Sequence, residues 1–440
     1  MNFKKALAAM LTAAMTLAML TGCGSQAGAA ASNDTAVAAG NTAEAETTDG
    51  NVEIEFFSTK TENADIMQKL VDNFMAENPE ITVVLTSEAD AGTVLKTRLT
   101  KDDIPEVIAM GGDSTYTELQ GAGVLLDLSD ESFVSNVHEA YLEMVYDVNA
   151  DGEAKAYGIP YATNASGVLY NADLFAQAGV EVPATWTEFT KVVEDLEAAG
   201  IAPFELTFAD AWTCLPPWNS MAPVIPDANF TTDRKAGNTT FAGTHEEVLE
   251  KYLWILSHAQ EDFMGTSYND GNVAFANGEA AMMINGNWAI SEFMNTNPDL
   301  NVDMFAFPSV DDASKNTVTS GVDVLLAVSS EADEAQTAAA KKFVEYMLRE
   351  DVAKEYIVDQ FAFSAVKNVV QDDSKVATAG ATIAEGRVSN FPDHYYPNGY
   401  DLSAILQQCS LDFVNGMDNA ENIANTLASC DEQYDICNVE

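Results

Sequence analysis

The sequence predicts an α/β protein, and three observations carry that prediction. Strand-like segments alternate with segments of helical period from Val52 to about Ala109. The same pattern resumes after Gly167. Helix-start signals stand between the strands, at Asn171 and at Thr185. Alternation of this kind implies a parallel sheet with helices on both faces.

Each element has a local reason. Val52-Glu53-Ile54-Glu55-Phe56-Phe57 alternates with period two, as a half-buried strand does. Next, Ile66, Leu70 and Phe74 recur at helical spacing, and Pro79 stops the helix. Ile81 to Leu85 reads as a second strand and Ala91 to Thr100 as a helix. Ile104 to Ala109 is a short apolar strand that runs into Gly111-Gly112-Asp113. After the strand Gly167–Tyr170, Asn171 caps a short helix ended by Gly179. Thr185-Trp186-Thr187-Glu188 is a capping box, in which the threonine hydroxyl and the glutamate each satisfy a free backbone N–H. A further helix spans about Glu246 to Ala259. Ala280–Ile284, Val302–Phe307 and Val322–Val328 read as strands. The last is followed by an amphipathic helix with Ala340, Phe343, Val344 and Met347 inward.

The chain begins with Lys4 and Lys5, an apolar run from Ala6 to Leu20, and then Thr21-Gly22-Cys23. This is the pattern of an export signal, and the run is short for a membrane span. Leu20-Thr21-Gly22-Cys23 resembles a bacterial lipobox. That resemblance implies a lipoprotein signal peptide over 1–22 and a lipid on the sulfur of Cys23. The protein would then sit outside the cytoplasmic membrane, on its outer face or in a periplasm. Cleavage without lipidation is the alternative. Residues 23–50 are rich in Ala, Gly, Ser, Thr, Asn and acids, and read as a disordered tether.

At 440 residues the chain has room for two or three domains, and 47% hydrophobic content supports full cores. A net charge of −49 repels nucleic acid and anionic lipid, so neither is an expected partner. Cys214, Cys409, Cys430 and Cys437 allow three pairings, and a local disulfide among the last three is one option. No C-x-x-C occurs and the histidines are scattered, so no zinc site, other metal or cofactor is expected.

Three segments carry a more specific signal. They are Tyr157–Asn171 continuing to Trp186, Phe275–Trp288, and Gly321–Val328 with the Ala-Ala-Lys-Lys-Phe helix after it. In order and spacing they resemble the extracellular solute-binding proteins of ABC importers, in the branch that binds sugars. The stretch Phe57–Ala64, with Asp90–Thr93 and Gly111–Asp113, is similar to binders of raffinose-type oligosaccharides. The resemblance implies a two-lobe, periplasmic-binding-protein-like fold of type II with a multi-strand hinge. Lobe 1 would be 51–162 plus 309–363, and lobe 2 would be 163–308 plus 364–440. Hinge crossings are expected near Ile159–Asn164, Phe307–Val310 and Phe361–Ser364. A mono- or oligosaccharide would bind between the lobes of a monomer and pass to permease subunits.

A sugar needs aromatic rings for its C–H faces and planar polar groups for its hydroxyls. A desolvated hydroxyl left unpaired costs about 1–3 kcal/mol. Trp288, after an apolar strand, is the candidate stacking platform, with Asn285 beside it. Trp212 and Trp218 lie in a Pro-rich segment that no helical period explains. Asp113 is a ligand candidate at a strand end, or a helix cap. Asn164 and Tyr161 sit at the first hinge crossing, where they could equally turn or pack. Glu62 is a hydroxyl acceptor or a first-turn acid, and Asp323 is an acid inside an apolar strand. His394, Tyr395, Tyr396 and Tyr400 offer a second aromatic wall.

Four rivals remain from the residues, one of them a purely structural surface lipoprotein with no small ligand. Tyr395-Tyr396 resembles the phenolate pair of ferric-ion binders. The acids Glu62, Asp113 and Asp323 could hold a polyamine. An exported glycosidase would need two carboxylates flanking the scissile bond, and no motif marks such a pair.

Overall fold

The computed structural model describes residues 51–87, 91–101, 103–148, 154–397 and 399–438. The signal segment, Cys23 and the tether lie outside the described residues. Strand β1 (Val52–Ser58) leads through helix α1 (Ala64–Glu77) to β2 (Ile81–Ser87). Helix α2 (Ala91–Leu99), β3 (Val107–Met110) and α3 (Ser114–Ala122) follow. β4 (Gly158–Thr163) and β5 (Ser166–Asn171) are separated by two residues. Then come α4 (Trp186–Ala198), β6 (Ala202–Phe204), α5 (Leu215–Met221), α6 (Glu246–Leu256) and α7 (Tyr268–Ala276). β7 (Ala280–Gly286), α8 (Ile290–Thr296), β8 (Val302–Phe305), β9 (Val318–Thr319) and β10 (Val322–Val328) succeed one another. α9 (Glu334–Met347), α10 (Glu350–Asp359), β11 (Phe363–Ser364) and β12 (Val388–Ser389) complete the sheets. The chain closes with α11 (Leu402–Val414) and α12 (Asn419–Cys437).

Two six-stranded sheets result. The first has the order β11-β4-β10-β3-β1-β2, and the second has β12-β9-β5-β7-β6 with β8 also paired to β5. Neither is purely parallel, as the alternation had implied. β1 runs parallel to β2 and β3, but β10 is antiparallel to both β3 and β4. The reason is the hinge: strands that arrive from the other lobe enter the sheet from the opposite end.

The first lobe's core sandwiches its sheet between Ile66, Leu70 and Phe74 of α1 and Phe343 and Val344 of α9 on one side, and Leu95, Tyr116 and Leu119 on the other. The second lobe buries Phe189, Trp218, Tyr252 and Leu406 around Phe204 and Met282. Both bonds of the capping box at Thr185 are present, and Asn171 caps its helix through its side chain. A second capping box, at Asp333 and Gln336, opens α9.

Among the described residues the chain passes between lobes three times. The first passage, at Asn164–Ala165, lies at the edge of the expected segment. The other two are displaced from it. β9 is still in the second sheet and β10 is in the first, so the second passage is at Ser320–Gly321, not at Phe307–Val310. β11 pairs with β4, Val369 stays in the first core and Val376 packs in the second lobe. The third passage therefore falls between those two residues, beyond Phe361–Ser364. Short strands of two residues carry too little periodicity to place such switches from sequence.

All four described cysteines are free. Burial pushes the thiols of Cys214 and Cys430 up to about 12 and that of Cys409 up to about 11, so they act as small apolar groups.

His245 is fully buried in the second core, stacked on Trp218 at 5.1 Å, with Nδ1 2.8 Å from the Thr244 hydroxyl. Burial pushes its imidazole down to about 3 from the ordinary 6.5. The core accepts the neutral ring only. Its contribution to stability is complete above about 6.5 and is lost as the pH falls toward 3. Glu205, pushed up to about 7 by burial and Glu279, works in the opposite direction. The comparison is therefore made against His245→Phe. The urea midpoint of that variant should fall less steeply on acidification than that of the parent, and equal slopes would refute the assignment.

Candidate functional site

A cavity of about 450 Å³ opens between the lobes. The first lobe contributes Lys60, Thr61 and Glu62, in the loop that leaves the C-terminal end of β1. That is where open α/β sheets present ligand-binding groups. Asn164 comes from the first hinge passage, and Asp323 from the start of β10 just after the second. The second lobe contributes Trp212, Tyr268, Asn269, Trp288 and Glu292.

The floor of the cavity is a polar network that ties the hinge together. Lys60 Nζ donates to Asp323 Oδ1 at 2.6 Å and lies 3.6 Å from Glu62 Oε1. Burial alone would lower the Lys60 pKa, but Asp323, Tyr356 and Glu62 outweigh it and hold the ammonium above its ordinary range. Asn164 Nδ2 points to Asp323 Oδ1 at 3.4 Å, and Asn164 Oδ1 accepts from the Gly321 amide at 3.0 Å. The Asn164 amide in turn donates to the Gly321 carbonyl at 3.2 Å. One side chain thus spans two of the three passages.

The walls are aromatic. Trp212 is 41% exposed and meets Tyr268 edge-on, with centroids 4.9 Å apart. Burial pushes the Tyr268 hydroxyl up to about 12, so it stays a neutral donor. Trp288 is half-buried and lies directly over Gly286, where an added Cβ would come within 2.0 Å of the indole. Glycine is required there for the ring to sit where it does. Rings, amides and carboxylates therefore converge on one space, a combination suited to a ligand with apolar faces and many hydroxyls.

Five of the sequence candidates line this cavity: Glu62, Asn164, Trp212, Trp288 and Asp323. Five do not. Tyr161 is fully buried in the first core, 5.0 Å from the ring of Tyr356. Its position on β4 turns it to the helix-covered face. Trp218 is fully buried against His245, because its segment is helix α5 rather than an irregular loop. Asn285 is 1% exposed, and its Oδ1 accepts from the Gly286 amide at 3.0 Å. Asp113 is the cap of α3, accepting from the amides of Thr115 at 2.9 Å and Tyr116 at 3.3 Å. Tyr395 is exposed and does not line the cavity, while Tyr396 is buried among Phe241 and Tyr434. Neighbours so placed do not converge as a phenolate pair, and no cluster of metal-ligating side chains occurs among the described residues.

Lys60, Thr61, Tyr268, Asn269 and Glu292 were not anticipated. Lys60 and Thr61 could have been, since they adjoin Glu62 at the same strand end. Ser267 caps α7 through the Asp270 amide, and that start signal could have placed Tyr268 at a helix terminus.

A second cavity, about 500 Å³, lies on the second lobe beside Trp186 and Trp254. Each of these half-buried rings has a neighbour on it: Lys251 Nζ sits 4.9 Å over Trp186, and His258 lies 4.4 Å from Trp254. The interlobe cavity has the exposed Trp212 and is lined from both lobes, which makes it the better site.

Comparison with known proteins agrees with this architecture. Residues 58–354 match the family model for bacterial extracellular solute-binding proteins. A multiple sugar-binding protein of Streptococcus mutans is 33% identical over 331 residues, covering 73% of this chain and 77% of that protein. A putative ABC transporter periplasmic-binding protein of Escherichia coli is 25% identical over 320 residues, covering 70% and 71%. Among solved structures, apo RafE of Streptococcus pneumoniae superposes with a TM-score of 0.74 at 26% identity, covering 88% of this chain and 100% of that one. RafE has also been solved with raffinose. No helix among the described residues is long and apolar enough to cross a membrane. With the two lobes, the three passages and the cleft between them, the match over most of its length identifies this chain as a member of the bacterial extracellular solute-binding protein family.

Proposed function

We propose that this protein is the extracytoplasmic receptor of an ABC importer, and that it captures a carbohydrate, an oligosaccharide by preference, in the interlobe cleft. The observation that carries the reading is the convergence of Trp212, Tyr268 and Trp288 with Asn164 and Asn269 on one cavity. The sugar-binding relatives support it. Closure of the lobes would bury the ligand and present a surface to the permease. The protein acts as a monomer, held to the membrane through a lipid on Cys23, with residues 23–50 as the tether. It binds without catalysing, in keeping with the binding-protein family and relatives it matches.

A polyamine is the second reading, favoured by three carboxylates in the cavity. A thermal-shift panel of oligosaccharides, spermidine and ferric citrate separates the two. A ligand at a hundred times its Kd stabilises by about 2.7 kcal/mol. Stabilisation by one or more oligosaccharides and by neither spermidine nor iron is expected. A response to spermidine alone would replace the sugar assignment.

A further inference from the structure

Charge in the cleft is one-sided. Among the described residues that line it, Lys60 is the one cation, beside the three carboxylates of Glu62, Glu292 and Asp323. The Lys60 charge is already paired, with its ammonium 2.6 Å from Asp323 and 3.6 Å from Glu62. Glu292 stands on α8 of the second lobe and Glu62 on the first, so carboxylates face the ligand from both sides. Closing the lobes excludes water and strengthens every charge interaction inside. A ligand anion would then meet two like charges with no free cation to answer it. A ligand ammonium would meet two acceptors.

We infer that the cleft is a charge filter, which admits neutral and ammonium-bearing sugars and rejects carboxylated and phosphorylated ones. The inference rests on the carbohydrate reading above and deepens it. It makes Glu62 and Glu292 residues that set specificity, beyond any hydroxyl they accept from.

The test uses the full chain and calorimetric titration. Raffinose, stachyose, maltotriose, cellotriose and chitotriose are titrated first. Each binder is then compared with its own derivative oxidised to a carboxylate at one C6, and with the matching C6 amine. The uronate should bind at least about tenfold more weakly than the neutral parent at low salt. The gap should narrow as salt rises, and again in Glu62→Gln with Glu292→Gln. The amine should match or exceed the parent. A uronate that binds as tightly as its parent overturns the filter and leaves the sugar assignment standing. Loss of both derivatives alike, insensitive to salt, also overturns it, because that outcome reports a steric limit at C6. Binding of uronates with no neutral binder overturns the filter alone, and no binding by any sugar overturns the carbohydrate reading with it.

Discussion

The Trp288→Ala protein should bind its sugar about 30-fold more weakly or worse. Central aromatic anchors are worth about 2 kcal/mol or more on truncation, and this ring is the one held in place by the backbone beneath it. Gly286 leaves room for the indole and for nothing else: a Cβ there would lie 2.0 Å from the ring. Gly286→Ala should therefore lower affinity without removing the tryptophan, by forcing the ring to swing away. The two changes act on one object, so the double variant should lose little more than either alone. Trp288 also packs against the core cluster around Ile290 and Phe293, and some stability should be lost as well. Titration well below the unfolding midpoint separates the two effects. Unchanged affinity in Trp288→Ala would remove the stacking platform from the proposal.

Trp218→Ala should behave in the opposite way. The residue is fully buried between His245, Phe241 and its neighbours, and large-to-small changes at such sites cost about 3–5 kcal/mol. A fall of roughly 10 °C in the unfolding of the second lobe is expected by calorimetry. Sugar affinity of the fraction that remains folded should be unchanged, since Trp218 does not line the cleft. A selective loss of affinity with little change in stability would return this tryptophan to the site. Two tryptophans six residues apart, Trp212 and Trp218, thus have separate jobs: one is 41% exposed at the cleft and the other is sealed in the core.

That pair shows why the site was only partly legible. Both tryptophans stand in a Pro-rich stretch, and proline at the first positions of α5 reads equally as a loop or as a helix start. Asn164 and Tyr161 show the same limit. They lie three residues apart at the same hinge strand, yet one reaches the cleft and the other packs on Tyr356. Strand alternation says that neighbours face opposite ways, and it does not say which face a helix will cover.

Local chemistry was enough for much of the fold. Apolar spacing in α1, the box at Thr185 and the cap at Asn171 are written in short stretches of chain, because their hydrogen bonds close within a few residues. The ordered segments Tyr157–Asn171, Phe275–Trp288 and Gly321–Val328, through their resemblance to solute-binding proteins, pointed to two lobes and a cleft. Tertiary structure alone decided the rest. The ion pair of Lys60 with Asp323 joins residues 263 apart, and it settles which charge the cleft offers a ligand. The second and third hinge passages depend on which sheet accepts two-residue strands such as β9 and β11. These are properties of long-range pairing, and no local period in the chain encodes them.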